Sequence, residues 1–170
     1  MRTGRRDWLW AVAAIVMVGA GIVAVVIALT SSSGPAPDEP PIAGLPCESG
    51  ERLEYHVHAT VRIVIVGETR VIPTNVGVRP GECIYWLHTH DNEGLIHVEA
   101  PRQDNYTLGQ FFAIWGQPLS PTQLLDRTTD SEHQIQAIVN GEPYAGDPAQ
   151  IPLADGSVII LEYGPPFKEG

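Results

Sequence analysis

The segment "EYHVHATVRIVIVG", residues 54–67, alternates between apolar and polar side chains with a period of two. This alternation is typical of a β-strand with one buried face, because successive side chains point to opposite sides of a sheet. The apolar face carries Tyr55, Val57, Ala59, Val61, Ile63 and Ile65. His56 and His58 fall on the polar face, so we expect two imidazoles side by side outside the core.

A second segment, "CIYWLHTHDNEGLIHVE" (83–99), predicts a β-hairpin, because two β-rich runs flank the turn-forming sequence Asp-Asn-Glu-Gly. A loop formed by those four residues places His88 opposite His97, whereas a tighter turn on Glu-Gly places His90 opposite His97. In both registers four side chains share one face of the hairpin: His88, His90, His97 and Glu99.

The rest of the chain predicts one or two helices and further strands. "YTLGQFFAIWG" (106–116) predicts an amphipathic helix that is capped by Thr107 and ends at Gly116. "SPTQLLD" predicts a second short helix, with Ser120 as its cap and the following proline at its first position. Residues 133–166 predict strands around an Asn-Gly turn. The fold class is therefore mainly β or α+β: a small antiparallel β-rich domain, either a sandwich or a sheet with one or two helices.

The first 29 residues predict a transmembrane anchor. Three arginines precede 22 uncharged residues at positions 8–29, and about 20 apolar residues span a bilayer. Basic residues before the span favour a cytoplasmic N-terminus. A cleaved signal peptide is the alternative, but its apolar core is usually about 7 to 15 residues long. We therefore expect a single-pass cell-membrane protein whose C-terminal domain is extracytoplasmic.

Residues 30–46 are rich in Ser, Pro and Gly and predict an extended tether. Residues 47–170 are long enough for one domain with a single core. From residue 30 onward there are 7 basic and 19 acidic side chains, which gives a net charge of −12. Such an acidic exterior argues against nucleic acid as a partner and is compatible with cations.

The chain contains two cysteines, Cys47 and Cys83, and both follow the predicted anchor. In an oxidising compartment a pair of cysteines usually forms a disulfide, so we expect these two to be joined. The alternative is that one or both thiolates bind a metal ion.

The clustered histidines predict a metal site. Neutral imidazole is the commonest protein ligand of transition metals, and both zinc and copper accept it. The isolated sixth histidine, His133, is expected to be solvated. Four carboxylates lie near the cluster in sequence and could complete the shell or orient the imidazoles: Glu54, Asp91, Glu93 and Glu99. The candidate ligands, for copper or zinc, are His56, His58, His88, His90 and His97.

Three motifs resemble those of a family of largely uncharacterised exported bacterial proteins: "YHVHA" (55–59), the hairpin segment (83–99) and "TLGQFFAIWG" (107–116). The resemblance covers about residues 47–166 and implies a single exported module without specifying an activity. "RPGECIYWLHTH" is also similar to part of a cupredoxin, but the chain lacks the paired C-terminal ligands of a blue-copper site. The first cupin motif is approximated, with shifted gaps, by Gly81, His88, His90 and Glu93.

Three functions are compatible with these features. The first is a metal-binding protein that captures, buffers or delivers an ion. The second is a metal-dependent enzyme in which three histidines hold the ion and Glu99 or Glu93 acts as base on a bound water. The third is a metal-free adhesion or assembly module. An enzyme needs an open coordination position, and five available histidines favour a saturated binding site instead. The lack of a Ser/His/Asp or Cys/His pairing gives no indication of metal-free catalysis.

Overall fold

The computed structural model describes residues 39–168, so the predicted anchor and most of the predicted tether lie outside the described residues. Within residues 39–168 no helix is long and apolar enough to cross a bilayer. This part of the chain is β-rich, as predicted. Its strands are β1 (Cys47–Glu48), β2 (Tyr55–Ile65), β3 (Glu68–Arg70), β4 (Val78–Arg79), β5 (Cys83–Tyr85), β6 (Leu87–His88), β7 (Leu95–Ala100), β8 (Leu119–Ser120), β9 (Gln123–Leu124), β10 (Arg127–Thr128), β11 (Gln134–Val139), β12 (Glu142–Tyr144) and β13 (Ser157–Gly164).

Seven strands form the main sheet, in the order β12-β11-β13-β2-β7-β6, with β3 also paired to β2. All of these pairs are antiparallel except β13 with β2, which run parallel. The prediction of an antiparallel sheet is therefore wrong for this central pair. Parallel neighbours need a long connection, and here the chain between β2 and β13 includes the helix and two smaller sheets. Alternation in the sequence reports which face is buried and carries no information on strand direction.

The predicted helix is confirmed as α1 (Leu108–Trp115). Thr107 and Gln110 form a capping box at its start, and Gly116 ends it with a left-handed φ of 75°. Its buried side chains join one hydrophobic cluster with the core face of β2 and β7: Leu108, Phe111, Phe112 and Ile114 on the helix, Ala59 on β2, and Ile96 and Val98 on β7.

The second predicted helix is wrong, since residues 119–128 form the small antiparallel sheet β8-β9-β10. Leu125 has a φ of 53°, in the left-handed region that a right-handed helix excludes. The adjacent Leu124 is fully buried in the main core. Burial of this leucine through a tight turn has overridden the local Ser-Pro signal.

A disulfide joins Cys47 to Cys83, with Cα atoms 5.4 Å apart, which confirms the predicted pairing. The bridge lies where β1 pairs with β5, the strand that leads into the histidine hairpin. Leu45, just before the bridge, is also buried in the core. The start of the domain is thus fixed against the hairpin at two neighbouring points.

Strand β7 approaches β2 closely at Gly94, the last residue of the hairpin loop. The amide of Val61 donates a hydrogen bond to the Gly94 carbonyl at 2.8 Å. Gly94 has a φ of 83°, and a Cβ atom there would lie 2.2 Å from the Val61 carbonyl oxygen. A side chain at this position would therefore collide with the backbone of β2, so the close pairing of the two strands requires glycine.

Candidate metal centre

Strand register brings the predicted metal ligands onto one face of the main sheet. His58 pairs with His97 across β2 and β7, and His88 pairs with His97 across β6 and β7. The hairpin thus adopts the register with His88 opposite His97. His56 lies opposite Glu99 on the neighbouring row. Three adjacent strands therefore present their imidazoles side by side.

The first group of potential ligands consists of His88, His90, His97 and Glu99, whose ligand atoms all lie within 4.8 Å of one another. His88 Nε2 is 3.2 Å from His90 Nε2 and 3.8 Å from Glu99 Oε1. His97 Nδ1 is 3.5 Å from the same carboxylate oxygen. These four residues could hold a metal ion.

The tautomer of His88 makes Nε2 the ring nitrogen that can bind a metal ion. His88 Nδ1 lies 2.9 Å from the backbone carbonyl oxygen of Tyr85, which can only accept, so Nδ1 carries the hydrogen and donates. In the neutral ring the lone pair of Nε2 is then directed at the group, where Nε2 accepts a hydrogen bond from His90 Nε2 at 3.2 Å. Metal-binding histidines generally donate their second N–H to a carbonyl or carboxylate in this way.

Thr89 holds the backbone between two of these histidines. Its hydroxyl accepts a hydrogen bond from the amide of Val76 at 3.1 Å and donates one to the carbonyl of Pro73 at 2.9 Å. The Thr89 amide also donates to the carbonyl of Val76. Because Thr89 is fully buried, these bonds fix the directions of His88 and His90. No local sequence pattern indicates this role of Thr89, which depends on a turn distant in the sequence.

Glu99 lies at the centre of the face and is only 3% exposed. Its Oε1 is 3.2 Å from His56 Nε2, while its buried Oε2 has no hydrogen-bond partner among the residues that the structure describes. Burial raises the pKa of this carboxyl, and the nearby charge of Glu51 raises it further. A buried carboxylate oxygen without a partner is costly, and a cation would satisfy it.

The second group consists of His56, His58 and His97, with ligand atoms again within 4.8 Å. His58 Nε2 and His97 Nδ1 are 3.1 Å apart, so one ring donates to the other. The two groups share His97 and together include all five predicted histidines. His56 and His90 form the exposed rim of the site, and His88 forms its buried side.

Burial keeps the inner imidazoles uncharged. It lowers the pKa of His88 to about 4, against the opposing effect of its hydrogen bond to Tyr85. Burial also lowers the pKa of His97 to about 4, and the neighbouring His58 lowers it further. A neutral imidazole is the form that binds a metal ion, so both rings are ready to bind at neutral pH.

The other predicted carboxylates lie outside both groups. Glu93 is exposed in the hairpin loop, where its amide bonds to the Asp91 carboxylate, and Glu54 is exposed before β2. In their place Glu51 approaches the rim, with Oε1 3.7 Å from His90 Nε2. No local sequence pattern predicts the position of Glu51. Its loop lies beside the hairpin because β1 pairs with β5, which is a long-range contact.

His133 lies apart from the site and is in neither group. Its Nδ1 is 3.1 Å from Asp130 Oδ1, and its ring stacks on Tyr163 with centroids 5.2 Å apart. The residue is therefore packed and hydrogen-bonded, although it was expected to be solvated. It provides a histidine outside the site for comparison with the five on the face.

Comparison of the chain with protein-family models, curated proteins and solved structures found no match. The function is therefore inferred from the geometry and chemistry of the histidine face.

Proposed function

We propose that this protein is a membrane-tethered, extracytoplasmic protein that binds copper or zinc on His88, His90, His97 and Glu99. One observation carries the proposal: three imidazoles and a buried carboxylate place their ligand atoms within 4.8 Å of one another. Capture, buffering or delivery of the ion is the function that this arrangement supports best.

The donor set supports a transition metal over a hard cation. Calcium and magnesium prefer all-oxygen shells, whereas zinc and copper accept imidazole nitrogen together with a carboxylate. The fixed tautomer of His88 and the unpartnered Oε2 of Glu99 are both features that a bound cation would use.

Exposure at the rim supports exchange of the ion with a partner or with solvent. The side chain of His90 is 44% exposed, whereas His88 is fully buried. An ion could enter and leave past His90 while the inner ligands stay in place. Such one-sided access suits capture and delivery better than a permanent structural site, which is closed on all sides.

The extracytoplasmic placement rests on sequence and on cysteine chemistry. Three arginines before the apolar segment at residues 8–29 favour a cytoplasmic N-terminus. The Cys47–Cys83 disulfide supports an oxidising compartment, where such bonds persist. The three motifs that resemble those of exported bacterial proteins favour the same compartment.

Elemental analysis of the full-length protein tests the proposal directly. The protein is purified in detergent through a tag without histidine and freed of loose metal by gel filtration. We expect at least one equivalent of zinc or copper per chain, loss of that equivalent in His97→Ala, and no change in the matched control His133→Ala. Absence of metal after exposure to either ion would contradict the proposal and favour the metal-free adhesion or assembly module.

A metal-dependent enzyme is a second candidate, favoured by the buried position of Glu99. A carboxylate beside a metal-bound water can act as a general base instead of a ligand. Glu99→Gln separates the two roles, since a lost ligand weakens metal binding and a lost base leaves binding intact. Full metal content in Glu99→Gln, together with loss of a hydrolytic activity that the parent protein shows, would support the enzyme.

A further inference from the structure

The potential ligands on the histidine face divide into two groups. Each group places its ligand atoms within 4.8 Å, and only His97 belongs to both. Once four ligands of the first group surround an ion, a tetrahedral shell is full. His56 and His58 then remain as ligands for another ion.

Glu99 lies between the two groups. Its Oε1 is 3.2 Å from His56 Nε2 in the second group and 3.8 Å from His88 Nε2 in the first. A carboxylate has two oxygens and can bind two ions, and the Oε2 of Glu99 has no partner among the described residues. Ions in two-metal sites are typically about 3.5 to 4 Å apart, a separation that a shared carboxylate can bridge.

Acidic groups around the face offset the repulsion between two cations. Glu51 approaches His90 at 3.7 Å on one side of the rim. Asp155 accepts a hydrogen bond from the backbone amide of His58 at 3.2 Å on the other side. The chain as a whole carries a net charge of −10.

We propose that the histidine face binds two transition-metal ions, one on His88 and His90 and one on His56 and His58, with Glu99 shared between them. His97 completes the shell of one ion of the pair. This inference rests on the proposed function and extends it from one ion to two. A pair would let the protein store a second ion close to the exposed rim.

The proposal of two sites is tested by loading the metal-free full-length protein with zinc and counting the bound ions per chain. After loading and gel filtration we expect two zinc ions per chain in the parent protein. We expect one in the double variant His56→Ala/His58→Ala, one in His90→Ala, and two in the control His133→Ala. Circular dichroism of each variant establishes that it is folded. These substitutions spare the fully buried His88, whose loss would disturb the core.

The outcomes separate the pair from the proposed function. One zinc in the parent protein, unchanged in the double variant, overturns the pair and leaves a single site standing. No zinc in any form overturns both proposals. Electron paramagnetic resonance of the copper(II)-loaded protein gives a second readout: we expect a magnetically coupled signal that becomes an isolated-ion signal in the double variant. Two uncoupled copper ions per chain would overturn the sharing of Glu99.

Discussion

Strands β2 and β7 carry two faces of opposite chemistry. On one face Ala59, Ile96 and Val98 are fully buried in the hydrophobic core. On the other face His58 and His97 pair across the same two strands. Each of these two histidines is adjacent in the chain to a fully buried core residue, so the backbone positions that pack the core also set the spacing of the imidazoles. Residues of the hydrophobic core, which supply no ligand atom, therefore determine the geometry of the histidine face.

The two faces differ in what they contribute to the metal-free fold. Burial of aliphatic side chains stabilises the fold by roughly 25 cal/mol per Å² of apolar surface. The histidine face instead buries neutral imidazoles and the carboxyl of Glu99, groups that are better solvated in the unfolded chain. We therefore expect core substitutions to reduce stability and histidine substitutions to reduce metal binding.

The largest expected effect is that of Ile96→Ala on the core face. Removing most of a fully buried isoleucine side chain leaves a cavity and should lower the free energy of unfolding by about 2 to 5 kcal/mol. Denaturant unfolding of the metal-free full-length protein in detergent measures the change. His58→Ala on the paired strand is the matched comparison and should cost much less. If both variants lose the same free energy of unfolding, the two faces contribute equally to the stability of the metal-free fold, contrary to this expectation.

Acidification should weaken the metal-free fold through His88 and His97. Their pKa of about 4 in the fold lies below the usual value of 6.5, so the unfolded chain binds more protons between pH 6.5 and pH 4. The free energy of unfolding should therefore fall as the pH drops through this window, by roughly 3 kcal/mol for His88 alone. The raised pKa of Glu99 acts in the opposite direction and offsets part of the loss.

Unfolding curves between pH 7 and pH 4 measure this dependence. His97→Gln should flatten it, because one of the two imidazoles with a lowered pKa is gone, whereas His133→Gln should leave it unchanged. If the free energy of unfolding depends on pH equally in the parent protein and in His97→Gln, the histidine face does not control the acid sensitivity.

A smaller effect is expected for Glu51→Gln at the rim. Its carboxylate lies 3.7 Å from His90 Nε2, and both side chains are about half exposed, so solvent screens the interaction. We expect metal affinity to fall by less than about tenfold, as for other exposed charge pairs. Titration with a competing chelator measures it at low and high salt. A loss as large as that of His97→Ala would identify Glu51 as a ligand.

The smallest effect is expected for His133→Ala. This histidine stacks on Tyr163 and lies within hydrogen-bond distance of Asp130, and it belongs to neither group of potential ligands. Metal content should be unchanged, and the free energy of unfolding should fall by no more than about 1 kcal/mol, as for most surface contacts. Elemental analysis and denaturant unfolding measure the two quantities. Loss of metal in this variant would contradict the placement of the site.

Much of the histidine face could be predicted from local sequence patterns. Alternation placed His56 and His58 outside the core, and hairpin parity placed His88, His97 and Glu99 on a common face. These predictions succeed because the side-chain period of a strand is two, so one buried residue fixes the orientation of its neighbours. The capped helix at residues 108–115 was predictable because its cap residues and its helical spacing of apolar residues are also local signals.

Long-range features could not be predicted in this way. Pairing of β2 with β7 joins residues about forty positions apart, and parallel pairing of β13 with β2 joins residues about a hundred apart. The approach of Glu51 to His90 and the bonds of Thr89 likewise depend on segments brought together by the tertiary fold. At residues 119–128 a local signal was misleading, because burial of Leu124 determined the backbone there.

Substitution of Gly94, which supplies no ligand atom, should disturb the site as much as substitution of a ligand. Any side chain at this position would collide with the carbonyl oxygen of Val61 and push β7 away from β2. His97, which pairs with His58, lies only three residues after Gly94 in the chain. A search for essential positions restricted to metal donors would therefore overlook a residue on which the spacing of the donors depends. The site is vulnerable to change at a position that has no chemistry of its own.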